Sequence, residues 1–530
     1  MSAWSPFRYP VFRALWIALL ASNIGTWMQT VGAGWLMVEL DASPAVIALV
    51  QTASYLPVVL VGVAAGAVAD LVDRRRLLLA TQMFMLATAA GLAVVTALGA
   101  ITPLMLLGFT FALGLGATLN YPAYQAVQPE LVPPEELEQA VTLGGANINL
   151  GRAVGPAVGG LLIAAAGAWL VFALNAASFV AGVVVLWRWR RAAEEDPGPP
   201  ERFAGAVRAG VRYALFSHVL QGVLVRSLAF GLASAGLMSL LPVYSVRVLG
   251  VGSGGLGALF AGMGVGAVVT AALLPKLRER LSDDRVFGLG SFLVAAALVA
   301  FALVDVPALA FGISLVAGLG WLCCLSTLNV ASQEAVPGWV RARGLAFYLT
   351  AISAGIAAGS AAWGQLANVA GVQWTYACGA LAIVVTLALG LRWRFDDIAG
   401  LDLSPAPLAA PEGRLLGAGD VDSPALVVVR YDVRPECRDD FLRTLRLVGR
   451  LRRRTGATSW SCYRDADHAD RFVETFVLPS WSEHMRQHRR RTVTDAELQA
   501  ALREYLHDGS EIASWHYVRP PEPSLRLWRR

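Results

Sequence analysis

The sequence predicts an α-helical polytopic membrane protein with twelve spans in two six-helix halves, followed by a small C-terminal α+β domain. Three observations carry this: an apolar composition, a series of runs long enough to cross a bilayer, and an internal repeat. Of 530 residues, 56% are hydrophobic and only 15% charged, with 52 glycines. That is too apolar for a water-soluble chain of this length. Crossing the hydrocarbon core takes about 20 consecutive mostly apolar residues. Such runs fall near 14–38, 45–68, 77–99, 103–124, 142–166, 168–187, 219–244, 255–275, 286–304, 307–330, 345–367 and 374–391.

The repeat divides these runs into halves. Pro129-Glu130-Leu131-Val132-Pro133 ends the fourth run, and Gln333-Glu334-Ala335-Val336-Pro337 ends the tenth, 204 residues later. Nearly the same offset carries the charged hinge Asp70–Arg76 onto Lys276–Arg280. The expected organisation is 1–187 for the first half, 188–217 for an interhalf linker and 218–395 for the second half. Parallel halves of this kind hold a substrate cavity between them near the midplane.

The net charge of +5 is spread between runs instead of forming a soluble basic patch, which argues against a nucleic-acid partner. With a cytoplasmic N-terminus, alternate connections carry Arg8, Arg13, Arg74 to Arg76, Arg188 to Arg191, Lys276 to Arg280, Arg341, Arg343, Arg392 and Arg394. The other side has essentially Arg247. This follows the positive-inside rule and places both termini in the cytoplasm. The acidic connection Glu130 to Glu138 is the exception. The first run is too long for a cleavable signal peptide, so no such peptide is expected.

After Arg394 the composition changes. Residues 396–423 read as a linker, 424–520 as a domain and 521–530 as a tail. Ala425–Val433, Ser459–Tyr463, Arg471–Leu478 and Ile512–Val518 have strand character; Pro435–Arg454 and Ser480–Leu506 have helical character. The order βαββαβ predicts a ferredoxin-like sandwich. Five cysteines, at 323, 324, 378, 437 and 462, have no metal-ligand spacing and read as reduced packing residues. Neither cofactor nor metal is expected.

The segment Gly66-Ala67-Val68-Ala69-Asp70-Leu71-Val72-Asp73-Arg74-Arg75-Arg76 resembles the loop signature Gly-x-Leu-Ala-Asp-Arg-x-Gly-Arg-Arg of the major facilitator superfamily. Gly25-Thr26-Trp27-Met28-Gln29, Pro129–Pro133 and Asn149-Leu150-Gly151-Arg152-Ala153-Val154-Gly155-Pro156 narrow the resemblance to its enterobactin-exporter branch over roughly residues 5–395. The hinge departs from the wider pattern at Asp73, where Gly is usual. The resemblance implies secondary active transport by alternating access, as a proton-coupled exporter of siderophore-like or drug-like molecules in the cell membrane. An importer of the same fold, and an enzyme or sensor anchored by its helices, are the alternatives. The absence of a Gly-x-x-x-x-Gly-Lys-Ser/Thr loop argues against ATP hydrolysis. Glu39, Asp305, Glu130 and Glu334 all fall near run ends, so no carboxylate stands out as a proton site.

The candidate site residues follow. Asp70 and Arg74, with Arg341 and Arg343 before the eleventh span, are gate candidates, and the other reading is that they only set topology and solvate a turn. Gly151, Gly155 and Gly159, with Gly160 and Pro156, place small residues on one helical face for close packing or a pivot. Arg152 lies inside the membrane, where a cation needs a partner or water. It either meets an anionic or polar substrate or pairs with a carbonyl, Asn147, Asn149 or Gln125. Asn23, Trp27, Gln29, Asn120, Tyr121, Tyr124 and Asn149 are candidate cavity residues. The C-terminal domain resembles dimeric antibiotic-monooxygenase domains through Glu474 and the segment Trp481 to His488. His484 and His488 share a helix face but have no evident third ligand, and a structural, regulatory or dimerising role is the expectation.

Overall fold

The computed structural model describes residues 4–189, 203–406 and 421–520. Its helices are α1 Pro10–Glu39, α2 Pro44–Leu71, α3 Arg74–Ala97, α4 Pro103–Leu131, α5 Leu137–Ala166, α6 Ala168–Arg188, α7 Phe203–Phe216, α8 His218–Ser239, α9 Leu241–Arg247 and α10 Ser253–Arg278. There follow α11 Asp283–Leu303, α12 Pro307–Glu334, α13 Arg341–Ala370, α14 Val372–Leu387 and the one-turn α15 Asp396–Ala399. Twelve of the described helical segments are long and apolar enough to cross a membrane. The seventh is interrupted: α8 stops at Ser239 and α9 begins one residue before Pro242, which has no N–H to continue the helical ladder.

Helix ends follow local chemistry. Ser43, Asp73 and Thr102 cap α2, α3 and α4 by accepting bonds from the N–H groups of Val46, Arg76 and Met105. Asp73, the departure from the family hinge, is thus a helix N-cap. The repeat also appears in the backbone. Short 3-10 turns at Pro134–Glu136 and Gly338–Val340 precede α5 and α13, and both helices end at glycines with positive φ, Gly167 at 88° and Gly371 at 84°. Each pair lies 204 residues apart, and only glycine adopts that conformation without steric cost.

The chain forms two compact units. One holds the described residues of Met1–Pro199, Val223–Ala331 and Ala346–Asp396. Here α1 packs on α5 and α6, α2 on α4, α3 on α4 and α6, and α10 of the second half lies along α5 of the first. The halves also meet where Thr52 Oγ1 of α2 donates to Ala357 O of α13 at 2.8 Å.

The second unit holds the described residues of Pro200–Gly222, Ser332–Leu345 and Asp397–Arg530. Its sheet contains β1 Ala425–Asp432, β2 Ser459–Arg464, β3 Arg471–Leu478 and β4 Ala513–Val518, ordered β2-β3-β1-β4 with every pair antiparallel. This is the ferredoxin-like arrangement. Val427, Val429, Tyr431, Phe472 and Phe476 alternate onto the buried face and pack with Phe441, Leu445 and Val448 of α16 Arg438–Thr455. The helix expected over Ser480–Leu506 is two helices, α17 Trp481–Arg489 and α18 Val493–Ala501, followed by a 3-10 turn. Thr492 breaks it by capping α18: its hydroxyl accepts from Asp495 N–H at 3.3 Å, and the Asp495 carboxylate accepts from Thr492 N–H at 3.1 Å. The linker expected at 188–217 contains α7. Its remainder at 190–202, the centre of the second linker at 407–420 and the tail 521–530 lie outside the described residues.

Candidate functional site

Glycine brings α5 against two neighbours. A methyl group on Gly155 would sit 2.7 Å from both Ile24 O and Trp27 Cβ; one on Gly151 would lie 2.8 Å from Asn23 Cβ, and one on Gly159 3.0 Å from Met28 Cα. All three glycines face α1. Gly160 faces the other half, where a methyl would lie 2.8 Å from Gly257 Cα of α10. A methyl on Gly264 would meet Arg152 O at 2.6 Å. Helix α5 runs unbroken through Pro156, whose carbonyl abuts Gly257. Gly160, Gly257 and Gly264 therefore form a seam on which the first half contacts the second, while Gly151, Gly155 and Gly159 seat α5 on α1.

Arg152 projects from this seam. Its guanidinium lies over Trp27, 5.2 Å from the ring centroid. Its Nε and Nη1 atoms are buried and have no hydrogen-bond partner among the described residues. Tyr55 of α2 is close enough to interact with it electrostatically. Asn149 is half-buried three residues earlier on α5, which places it on the same face. Tyr55 was missed in the sequence because a lone tyrosine in an apolar run carries no distinguishing signal.

Several candidate cavity residues have partners within the first half. Asn23 Nδ2 donates to Asn147 Oδ1 at 2.8 Å, and Asn147 Nδ2 donates to Trp16 O at 2.8 Å. Gln29 accepts a short bond from Asn175 of α6. Asn120 Nδ2 donates to Thr81 Oγ1 at 2.8 Å, and Asn120 and Tyr124 line a small pocket with Leu15, Ser22, Leu78 and Gln82. Gln125 Nε2 donates to the Tyr121 hydroxyl at 3.0 Å. Asn147 and Gln125, two of the expected neutral partners of Arg152, are thus engaged elsewhere.

At the hinge, Arg74 Nη1 donates to Glu130 Oε1 at 2.7 Å and to Ala126 O at 3.2 Å. Arg8 Nη2 donates to Glu136 at 3.2 Å. The acidic connection that broke the charge pattern is matched by these arginines. Arg75 binds the carbonyls of Leu186 and Trp187 at 2.8 and 2.7 Å, tying the start of α3 to the end of α6. Asp70 ends α2, and its side chain lies outside the described residues. In the other unit Arg341 is exposed, and the Arg343 stem lies against Gly210 of α7.

In the C-terminal domain, fully buried Glu474 accepts from the Tyr431 hydroxyl at 2.8 Å, Arg452 Nε at 3.2 Å and Trp460 Nε1 at 2.9 Å. His484 and His488 approach to 3.3 Å between their Nε2 atoms, and the Trp481 ring lies tilted beside His484, 5.2 Å between centroids. The structure adds His516 from β4, its ring centroid 5.0 Å from that of His484. Its position on a distant strand hid this neighbour from sequence reading. Burial, then the neighbouring histidines, push the His484 pKa down to about 3; burial, then Arg452, push that of His488 down to about 4. No group of three or more metal-ligating side chains suited to a metal ion occurs among the described residues.

Twelve membrane-length helices in two repeated halves, meeting on a glycine seam beside a buried cation, define a multi-pass membrane transporter of the major facilitator type. The chain belongs to the family described as transmembrane secretion effector, whose model matches residues 1–521, and the family makes it a transporter, not an enzyme. It is 24% identical over 276 residues to the staphyloferrin A transporter of Staphylococcus aureus, covering 52% of this chain and 69% of that one. It is 28% identical over 216 residues to the enterobactin exporter EntS of Escherichia coli, covering 41% of this chain and 50% of that one. The multidrug efflux pump Tap of Mycolicibacterium fortuitum is 27% identical over 227 residues, covering 40% and 54%. The match thus spans only about half the length of the latter two relatives. Among solved structures, a bacterial homolog of the lysosomal transporter Spinster aligns with TM-score 0.55 at 16% identity, covering 73% of this chain and 95% of that one. The nucleoside transporter NupG aligns with TM-score 0.57 at 14% identity, covering 74% and 99%. These two likenesses concern the fold.

Proposed function

We propose that this chain is a proton-coupled exporter of small organic molecules, siderophore-like or drug-like, working by alternating access in the plasma membrane. The observation that carries the reading is Arg152: a guanidinium with two buried, unpartnered nitrogens is expensive at membrane depth unless an anionic or polar ligand, or water, completes it. Trp27 supplies the adjoining aromatic surface, with Tyr55 and Asn149 nearby. Placement at the seam between halves suits a group that is offered to each side in turn. The relatives named for siderophore export and drug efflux support the substrate range and direction. The distribution of arginines supports cytoplasmic termini, and Asp70, Arg74, Arg341 and Arg343 are the gate candidates.

The test is substrate accumulation in inside-out vesicles from cells expressing the full chain, with and without a pH gradient. Gradient-driven uptake that disappears in Arg152→Ala at equal protein level is the expected result. Equal movement in both chains would overturn the role of Arg152. Uptake indifferent to the gradient would overturn proton coupling.

A further inference from the structure

Within the second unit, the C-terminal domain grips two segments that belong to the membrane part of the sequence. Tyr213 of α7 is 2% exposed. Its ring meets Trp339 edge-on at 5.8 Å, its hydroxyl donates to Ala335 O at 3.3 Å, and Arg454 at the end of α16 lies over its face at 5.3 Å. Arg490, following α17, lies over Trp339 at 4.8 Å, and Arg453 lies over Phe216 at 5.7 Å. Arg212 of α7 donates to Gly456 O, the glycine that ends α16.

The arginines are themselves held. Arg454 pairs with Asp495, and Arg490 pairs with Glu483 and donates to Thr455 O at 3.1 Å. Desolvated cation–π contacts are among the stronger side-chain interactions, and an anchored guanidinium loses little further freedom in making one. Three arginine–aromatic contacts converge on a helix that connects the two halves and on the connection between the tenth and eleventh spans. Helix α12 runs into that connection and α13 runs out of it.

We propose that the C-terminal domain is a conformational brake: through Arg454 and Arg490 it clamps the interhalf helix to the 335–340 connection and holds the transporter in a resting conformation. Rocking of the halves displaces the connection relative to α7 and so strains the clamp; whatever loosens the clamp speeds the exchange. The inference rests on alternating access but not on any substrate, direction or coupling ion.

The experiment uses the full chain in lipid nanodiscs, with Cys378, Cys437 and Cys462 replaced by serine and spin labels on Leu98→Cys and Leu303→Cys. These exposed positions mark the matching ends of the third and ninth spans, so their separation reports the relative position of the halves. Arg454→Ala with Arg490→Ala is expected to enlarge the minor distance population by about fivefold or more, the low end of typical allosteric couplings. Trp339→Ala, a substitution outside the C-terminal domain, should shift it the same way. Arg443→Ala, an exposed arginine of α16 paired with Asp440, should not. Unchanged distances in both the double variant and Trp339→Ala overturn the proposal, as does an equal shift in Arg443→Ala. No substrate is needed, so failure here and failure of the vesicle assay register separately.

Discussion

Arg74 and Glu130, 56 residues apart, form an ion pair of 2.7 Å that joins the start of α3 to the last turn of α4. Both side chains are partly shielded from solvent, so the pair is stronger than an exposed one. Arg74→Ala and Glu130→Ala should each lower stability by roughly 1 kcal/mol, and the double variant should lose clearly less than the sum. A thermal-melting double-mutant cycle in detergent checks this. Additive losses would show that the two residues act independently.

The glycine seam makes a graded prediction. Gly155→Ala places a methyl against α1 backbone and should cost about 1–3 kcal/mol, whereas Gly145→Ala meets nothing within 4 Å and should be neutral or slightly stabilising. Gly160→Ala should resemble Gly155→Ala, because its obstruction is the backbone at Gly257. Melting temperatures of the purified variants measure the order.

Arg152 should separate function from stability. Arg152→Leu removes a cation whose buried Nε and Nη1 have no hydrogen-bond partner among the described residues, and is expected to raise stability by about 1 kcal/mol while abolishing transport. Paired melting and flux measurements test this, and a destabilised variant would mean that the guanidinium has a structural partner after all.

The histidine cluster fixes the sign of a pH effect. His484 and His488 have folded-state pKa values of about 3 and about 4, below the ordinary 6.5, so the unfolded domain binds protons first as pH falls. Their contribution is flat above about pH 6.5 and is lost progressively as pH falls from there toward 4 and 3. Arg452, Arg491 and His516 oppose charging in the same direction. His488→Gln should flatten the pH dependence of domain unfolding, followed by tryptophan fluorescence.

Glu474 should be unforgiving. Glu474→Gln leaves Arg452 facing a neutral partner in a buried network and should cost about 3 kcal/mol or more, against little for Glu474→Gln combined with Arg452→Met. Urea unfolding of the full chain, monitored on the C-terminal domain, distinguishes the two.

The spans were legible because a bilayer demands long apolar helices, and the repeat was legible because duplicated halves keep their turn residues, Pro133 with Pro337; the structure added Gly167 with Gly371. The break of the 480–506 helix was also written in the chain, as the Thr492–Asp495 capping box, but the surrounding helical composition obscured it. Among the candidate cavity residues, residue type indicated polarity at membrane depth without indicating the direction faced. Asn23, Gln29 and Asn120 bond within the first half, whereas Arg152 has two nitrogens without a hydrogen-bond partner among the described residues.

By itself the sequence determined what periodicity, run length and charge placement control: twelve helices, two halves, an α+β domain and a charged hinge. Tertiary structure decided which side chains meet. It matched Arg74 to Glu130, brought His516 to His484, set Trp339 between Tyr213 and Arg490, and turned three glycines of α5 onto α1 and a fourth onto α10. Local pattern specifies the elements because backbone hydrogen bonding and burial act over a few residues. The partners are set by packing between elements far apart in the chain, which no local period encodes.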